Sequence, residues 1–287
     1  MLNNPVIYFF GFIIIMSALI MLSAFFGIFI RTQPTVEKFH KKLVNARGVS
    51  GNILASFFGM ITPFCSCTTV PIFAGLLSAG VEIGTAISFL IASPSIGFAA
   101  MILLFVLFGA RTAVAYTIAS VLVAIIGGCI LRLFKIKEPL RRTFISMSEY
   151  SPTPTRKQAL ISSWHLLKHF LPMVILCALI GVAIKDFIPQ SFLIFLTANN
   201  SVWLIPIVVV VGSAIYADII FLIPVGFALI EKGVNQGIVL AFMLAAAGIS
   251  IPSILLLSKV IKMRLLIYFV VTLMLLYTLL GLIFYYL

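Results

Sequence analysis

Charged residues are scarce in this chain of 287 residues. They make up 9% of it, and only seven residues are acidic, whereas roughly a quarter of an ordinary soluble domain is charged. Hydrophobic residues make up 63%, and the mean hydropathy is +1.26. Apolar runs such as 5–30 exceed the roughly 20 residues that a helix needs to cross a bilayer. The composition excludes a soluble globule and predicts an all-α, polytopic membrane protein.

Few residues could serve as catalytic or cofactor groups. The four cysteines lack the paired spacing of a disulfide framework, and Cys129 and Cys177 lie in smooth apolar runs that predict packing roles. No G-x-x-x-x-G-K-[ST] phosphate-binding loop occurs, so ATP hydrolysis by this chain is not expected. We predict neither a cofactor nor an enzymatic activity.

Basic residues are more abundant and give a formal net charge of +12, but they are confined to the segments between apolar runs. They therefore indicate topology, and nucleic acid is not an expected partner. The connections at 31–52 and 132–169 are strongly basic and are predicted to face the cytoplasm. We expect a multi-pass protein of the cytoplasmic membrane. Its predicted partners are the lipid bilayer and a small-molecule or metalloid substrate, and a homo-oligomer is compatible with the sequence.

Eight apolar segments lie around these connections. If all three segments between the two basic connections crossed fully, those connections would face opposite sides, against the positive-inside rule. The polar stretch 62–69, bracketed by Pro63 and Pro71, makes the second segment the predicted re-entrant hairpin, and the sixth is its counterpart. The alternative is eight plain crossings with one misplaced basic loop. The segments are 5–30, 53–79, 84–109, 112–131, 170–188, 201–230, 236–258 and 265–286.

An internal repeat relates the two halves, because a shift of 153 residues places Pro71 on Pro224 and Gly80 on Gly233 without a gap. Each repeat then has three full crossings, an odd number, so the second repeat is inverted relative to the first. Inverted repeats with broken or re-entrant helices are typical of secondary transporters, although a channel could share them. The predicted parts are a transmembrane repeat at 1–131, a cytoplasmic linker at 132–168 and a second transmembrane repeat at 169–287.

The same shift places Cys65 on Asp218, so two chemically different groups occupy one position of the repeat. Cys65 and Cys67 lie in a helix break, where a turn can bring both sulfur atoms to one side. Such a pair would bind a thiophilic metalloid transiently; the alternative is that two small residues pack a tight hairpin. Asp218 is flanked by apolar residues, which makes it the predicted proton-coupling residue, with a neutral packing carboxyl as the alternative.

Hydroxyl side chains near the helix breaks complete the predicted substrate site. They could contact a substrate, although hydroxyls that satisfy freed backbone carbonyls would explain them equally well. The candidates are Ser66, Thr68, Ser93, Ser95, Ser250 and Ser253, and the predicted helix-breaking prolines are Pro63, Pro71, Pro94 and Pro224.

A longer motif carries a family resemblance. It consists of residues 62–67 (TPFCSC), 70–72 (VPI) and 89–95 (FLIASPS). In these residues the chain resembles the predicted-permease family that includes the ArsP organoarsenical efflux permeases. The resemblance implies a cysteine-assisted efflux permease in the cytoplasmic membrane, and many members of that family have no assigned substrate.

The favoured hypothesis is a secondary exporter of a small thiophilic solute such as a trivalent organoarsenical. Two alternatives remain open on the sequence. One is a permease for a small anion or sulfur compound. The other is a redox subunit that uses Cys65 and Cys67 as an intramembrane dithiol.

Overall fold

A computed structural model describes residues 48–61, 66–78, 80–134, 201–215, 219–231 and 233–286. The predicted apolar segments at 5–30 and 170–188 lie outside the described residues, as does most of the predicted linker. Pro63, Cys65 and Asp218 also lie outside them, and Ser66, Cys67, Thr68 and Pro71 are described by their backbone alone.

The first described half contains four helices. The second of them ends in a Schellman motif, in which Gly80 has a φ of +86° and its N–H bonds to the carbonyl of Leu77 at 3.1 Å. The N–H of Val81 bonds to the carbonyl of Leu76 at 3.0 Å, which completes the motif. The helices are α1 Val49–Ile61, α2 Ser66–Ser78, α3 Ile83–Ser95 and α4 Phe98–Leu133.

The second described half contains five helices and repeats the same local chemistry. Gly233 has a φ of +91°, and the N–H of Val234 bonds to the carbonyl of Leu229 at 3.1 Å. The last two helices correspond to the two parts of α4, which bends at Gly109, where φ is +81°. The helices are α5 Leu204–Ala214, α6 Ile219–Glu231, α7 Gln236–Gly248, α8 Ile251–Val260 and α9 Met263–Tyr286.

The helix bounds confirm the internal repeat within the described part of the chain. The shift of 153 residues that aligns the two halves in sequence maps α2 onto α6 and α3 onto α7, residue for residue. It also maps the part of α4 after its bend onto α9. The helix α4 continues to Leu133, two residues beyond the predicted end of the first repeat.

Two described helices, at Ala100–Leu133 and Met263–Tyr286, are long and apolar enough to cross a membrane. A third crossing is available if α7 and residues 253–260, which meet at an angle of 41°, act as one broken span. Two helices of spanning length in an all-helical bundle confirm a polytopic, all-α membrane protein.

The helices α4 and α9 run antiparallel. Phe134, just after the end of α4, stacks on Tyr268 near the start of α9, with ring centroids 4.2 Å apart. Earlier in α4, Gly127 lies against Leu273 and Leu276, which are further along α9. Because these helices are corresponding parts of the two repeats, the second repeat is inverted relative to the first, as predicted.

The helices α1 and α2 form a hairpin whose two ends meet. The backbone N–H of Gly48, just before α1, donates to Oε2 of Glu82, just after α2, at 2.9 Å. Glu82 also forms an ion pair with Arg132, near the end of α4, at 2.6 Å. Both ends of this first hairpin therefore lie at the C-terminal end of α4, as the re-entrant interpretation predicts.

The helices α5 and α6 form a second hairpin at the opposite end of α4. Gln236, just after α6, donates from Nε2 to Oγ1 of Thr112, near the start of the long part of α4, at 2.8 Å. Ile205 in α5 and Gly237 at the start of α7 both lie against Gly281 of α9. The two hairpins therefore enter the bundle from opposite ends.

Two of the four predicted helix-breaking prolines do not end a helix. Pro71 and Pro224 lie within α2 and α6, each at the sixth residue. The breaks fall earlier, between Ile61 and α2 and between Ala214 and α6. A proline in the second turn costs one backbone hydrogen bond with the first turn, which a membrane helix can replace through its neighbours. Pro94 lies in the last turn of α3, where a helix does end.

Glycine allows the closest helix contacts in both repeats. A Cβ atom at Gly128 would lie 2.6 Å from the carbonyl oxygen of Gly84 and would collide with Oγ of Ser88. The corresponding residues of the second repeat, Gly281 and Gly237, form an equally close contact between α7 and α9. In each repeat, one glycine pair thus allows the backbones of two helices to approach closely.

We predict that Gly128→Ala lowers the free energy of unfolding by about 1–3 kcal/mol, because the added methyl group overfills a contact that cannot expand. Gly97→Ala is the matched control, since a Cβ atom there would meet nothing within 4 Å and its φ of −76° suits alanine. Thermal unfolding of the purified protein in detergent measures both. Equal melting temperatures for the two variants would show that the contact is not tight.

Candidate functional site

The candidate site lies around the helix breaks of the two repeats. Residues 62–65 join α1 to α2, and the corresponding residues 215–218 join α5 to α6. These connections carry Cys65 and Asp218, whose placement lies outside the described residues. The structure describes the helices on either side of each break.

The first turn of α2 is fixed against α3. Thr69 is fully buried, and its Oγ1 donates to Oγ of Ser93, itself buried, at 3.2 Å. The residue Cys67 lies two positions before Thr69 in the same turn. The predicted cysteine motif and the predicted serine motif are therefore neighbours in the fold, through a contact between hydroxyl groups.

The break between α3 and α4 leaves a helix start without a side-chain cap. Ile96 and Gly97 are non-helical, and no side chain caps the N-terminal turn that begins at Phe98. In the second repeat Ser250 precedes α8, but its Oγ pairs with Oγ of Ser253 at 2.7 Å and does not cap the backbone. The first-turn N–H groups at such helix starts have no acceptor within their own helix, and together with the positive end of the helix dipole they favour polar or negatively charged ligand atoms.

Each hairpin packs against the broken helix of the other repeat. The helix α2 contacts α8, and α6 contacts α4. Phe227 of α6 packs edge-on against Phe108 of α4, with centroids 5.8 Å apart. The hairpins thus contribute to the interface between the repeats, which is where secondary transporters form their substrate sites.

Charged side chains in the described residues lie at helix ends, except for Arg111, which is exposed and follows the bend of α4 at Gly109. The other described residues within the spanning helices are uncharged, so hydroxyl groups and backbone atoms provide most of the polarity there. The described charged residues are Glu82, Arg111, Arg132, Glu231, Lys259, Lys262 and Arg264.

The structure adds a buried polar cluster that the sequence did not predict. Asn52 is fully buried and donates from Nδ2 to Sγ of Cys129 at 3.2 Å and to the carbonyl of Ile125 at 3.4 Å. Thr85 donates to Oδ1 of Asn52 at 3.4 Å. The cluster connects α1 to α3 and α4 near the two ends of the first hairpin, where Gly48 bonds to Glu82. An asparagine at the start of an apolar segment is the signal that could have indicated it.

Two buried tyrosines were also missed. Tyr116 on α4 donates from Oη to the carbonyl of Ser95 at 3.4 Å, and Tyr277 on α9 lies beside both Ser95 and Gly248. Ser95, a predicted substrate contact, therefore lies at a junction of the two repeats. Within the described residues, no group of three or more His, Cys, Asp or Glu side chains is placed to hold a metal ion.

Comparison with known proteins agrees with this architecture. The chain is similar to a UPF0718 protein of Methanocaldococcus jannaschii, with 26% identity over 271 residues that cover 72% of this chain and 74% of that protein. No solved structure matches the chain. The family model ArsP_1, described as a predicted permease, matches residues 7–286. Because that match spans nearly the whole chain, the protein belongs to the ArsP_1 family of predicted permeases and is a membrane transport protein.

Proposed function

We propose that this permease is a secondary-active exporter of a small thiophilic solute, such as a trivalent organoarsenical, in the cytoplasmic membrane. The observation that carries the proposal is the pair of hairpins that enter from opposite ends and pack against the broken helices of the opposite repeat. In such an arrangement a solute held between the repeats can be exposed to either side in turn.

The proposed solute ligands are Cys65 and Cys67. The contact between Thr69 and Ser93 supports this role, because it anchors the turn that carries Cys67 against α3. A thiol would displace a hydroxyl group from trivalent arsenic, and the thiol proton would leave with that hydroxyl as water. Two sulfur ligands suit a soft metalloid and still allow release.

The hydroxyl groups around the breaks complete the proposed site. Ser66 and Thr68 share the first turn of α2 with Cys67, and Ser250 and Ser253 pair at the start of α8. Their hydroxyl groups are suited to bind the polar part of the solute while the thiols bind the arsenic.

Asp218 is the proposed proton-coupling residue. A carboxylate at that depth is costly unless it is hydrated, paired or protonated. The charged residues of the described spanning helices are Arg132 and Arg264 near helix ends and the exposed Arg111 just after the bend of α4, which favours proton exchange over a permanent ion pair. Export of the solute would then be linked to proton return through the same pair of repeats.

We predict that everted vesicles containing the wild-type protein take up phenylarsonous acid, and that Cys65→Ser and Cys67→Ser each lower the initial rate at least tenfold. The reason is the loss of one of two sulfur ligands. Cys129→Ser is the matched control, because Cys129 accepts a hydrogen bond from Asn52 near the hairpin base and should retain most of the activity. Uptake that survives both of the first two substitutions would remove the thiols from the mechanism.

We further predict that an acidic vesicle interior accelerates uptake by the wild-type protein several-fold and leaves Asp218→Asn unaffected, since asparagine cannot exchange a proton. Glu231→Gln provides the control, because Glu231 is exposed at the end of α6. The measurement is the initial uptake rate with and without an imposed pH gradient. A full response to the gradient in Asp218→Asn would assign proton coupling to another group.

A further inference from the structure

Ser95 and Tyr277 present two buried hydroxyl groups whose oxygen atoms form no well-aligned hydrogen bond within the part of the chain that the structure describes. Ser95 is 1% exposed and Tyr277 is fully buried, and the two side chains are neighbours. The two side chains are close enough to interact, but neither oxygen atom meets both the distance and the angles of a hydrogen bond to the other or to another described group. Ser95 is the last residue of α3 in the first repeat, and Tyr277 lies on α9 in the second, so the pair spans the repeat interface.

An unsatisfied hydroxyl group inside a membrane protein is costly, because lipid offers no hydrogen bond to replace those lost from water. Two adjacent hydroxyls that are misaligned with each other can both be satisfied by a third oxygen atom placed between them. Each can donate one hydrogen bond and accept others, so a hydroxyl oxygen is well suited to that position.

The surrounding residues hold this pair in place. Gly248, the last residue of α7, lies directly against Oη of Tyr277, and a Cβ atom at that position would collide with the phenol. Tyr116 donates to the carbonyl of Ser95, which fixes the end of α3 and leaves Oγ of Ser95 for another partner. The charged side chains among the described residues lie at helix ends or, for the exposed Arg111, just after the bend of α4, so this location suits a neutral ligand group.

We propose that Ser95 and Tyr277 form a binding subsite at the repeat interface for a neutral hydroxyl group of the transported solute. The proposal rests on the proposed function, since a trivalent organoarsenical carries As–OH groups in water. The subsite captures this hydroxylated form before a thiol displaces the hydroxyl. It thus adds Tyr277 to the binding residues and gives Ser95 a defined partner.

Uptake kinetics of phenylarsonous acid in everted vesicles test the subsite. Tyr277→Phe and Ser95→Ala should each raise the KM about three- to tenfold with little change in the maximal rate, because each loses one hydrogen bond to the arriving solute. The double variant should raise the KM by less than the product of the single effects, since both groups hold one oxygen. Tyr268→Phe is the matched control on the same helix, because Tyr268 is 40% exposed, and its KM should stay within twofold of wild type.

Thermal unfolding of the solute-free protein distinguishes a solute hydroxyl from a resident water molecule. If the oxygens are unpaired until solute binds, Tyr277→Phe should leave the melting temperature unchanged or raise it. A lower melting temperature together with an unchanged KM would assign the pair to a structural water or to a mutual bond, and would overturn the subsite.

An unchanged KM in both single variants would overturn the subsite while leaving the exporter proposal standing. Failure of the wild-type protein to take up phenylarsonous acid would overturn both proposals. If Tyr277→Phe does not fold, the KM of Ser95→Ala decides the question alone.

Discussion

A helix that breaks inside a bilayer frees backbone N–H and carbonyl groups that lipid cannot satisfy, and this constraint shapes the protein. The described structure contains such breaks between α1 and α2, α3 and α4, α5 and α6, and α7 and α8. The helices beside them are covered by protein, since α2 packs on α8 and α6 on α4. The breaks are therefore placed where the repeats can enclose them and where a solute can reach the freed groups.

Because the repeats are inverted, equivalent helices of the two repeats face opposite sides of the membrane. The helices correspond residue for residue, but the polar side chains that they carry differ. Glu82 ties the first hairpin to Arg132, whereas the corresponding Asn235 caps α7 by accepting from the N–H of Gly237 at 2.8 Å. The first hairpin is thus anchored to α4 by an ion pair, whereas at the second hairpin the corresponding residue caps α7 and the neighbouring Gln236 bonds to Thr112 of α4. Such differences, like that between Cys65 and Asp218, allow two equivalent hairpins to have different roles.

Much of the fold could be predicted from the sequence. The spacing of the glycines indicates the repeat, and the positions of the basic connections indicate which segments turn back. The positions of Pro71 and Pro224 were misleading, since a proline near the start of a helix can be accommodated without ending it. The cluster around Asn52 and the contact between Ser95 and Tyr277 were not predictable. Their partners are distant in sequence, and a lone polar residue in an apolar run does not indicate which helix it will face.

Labelling with a membrane-impermeant maleimide tests the re-entrant hairpins most directly. In a cysteine-free background, Ser50→Cys and Ser78→Cys mark the two exposed ends of the first hairpin, and Ser201→Cys and Glu231→Cys mark those of the second. Both members of the first pair should react only when the cytoplasmic face is accessible, and both members of the second pair should react in intact cells. Reaction of Ser50→Cys and Ser78→Cys from opposite faces would show that the chain crosses the membrane there and would contradict the inverted hairpins.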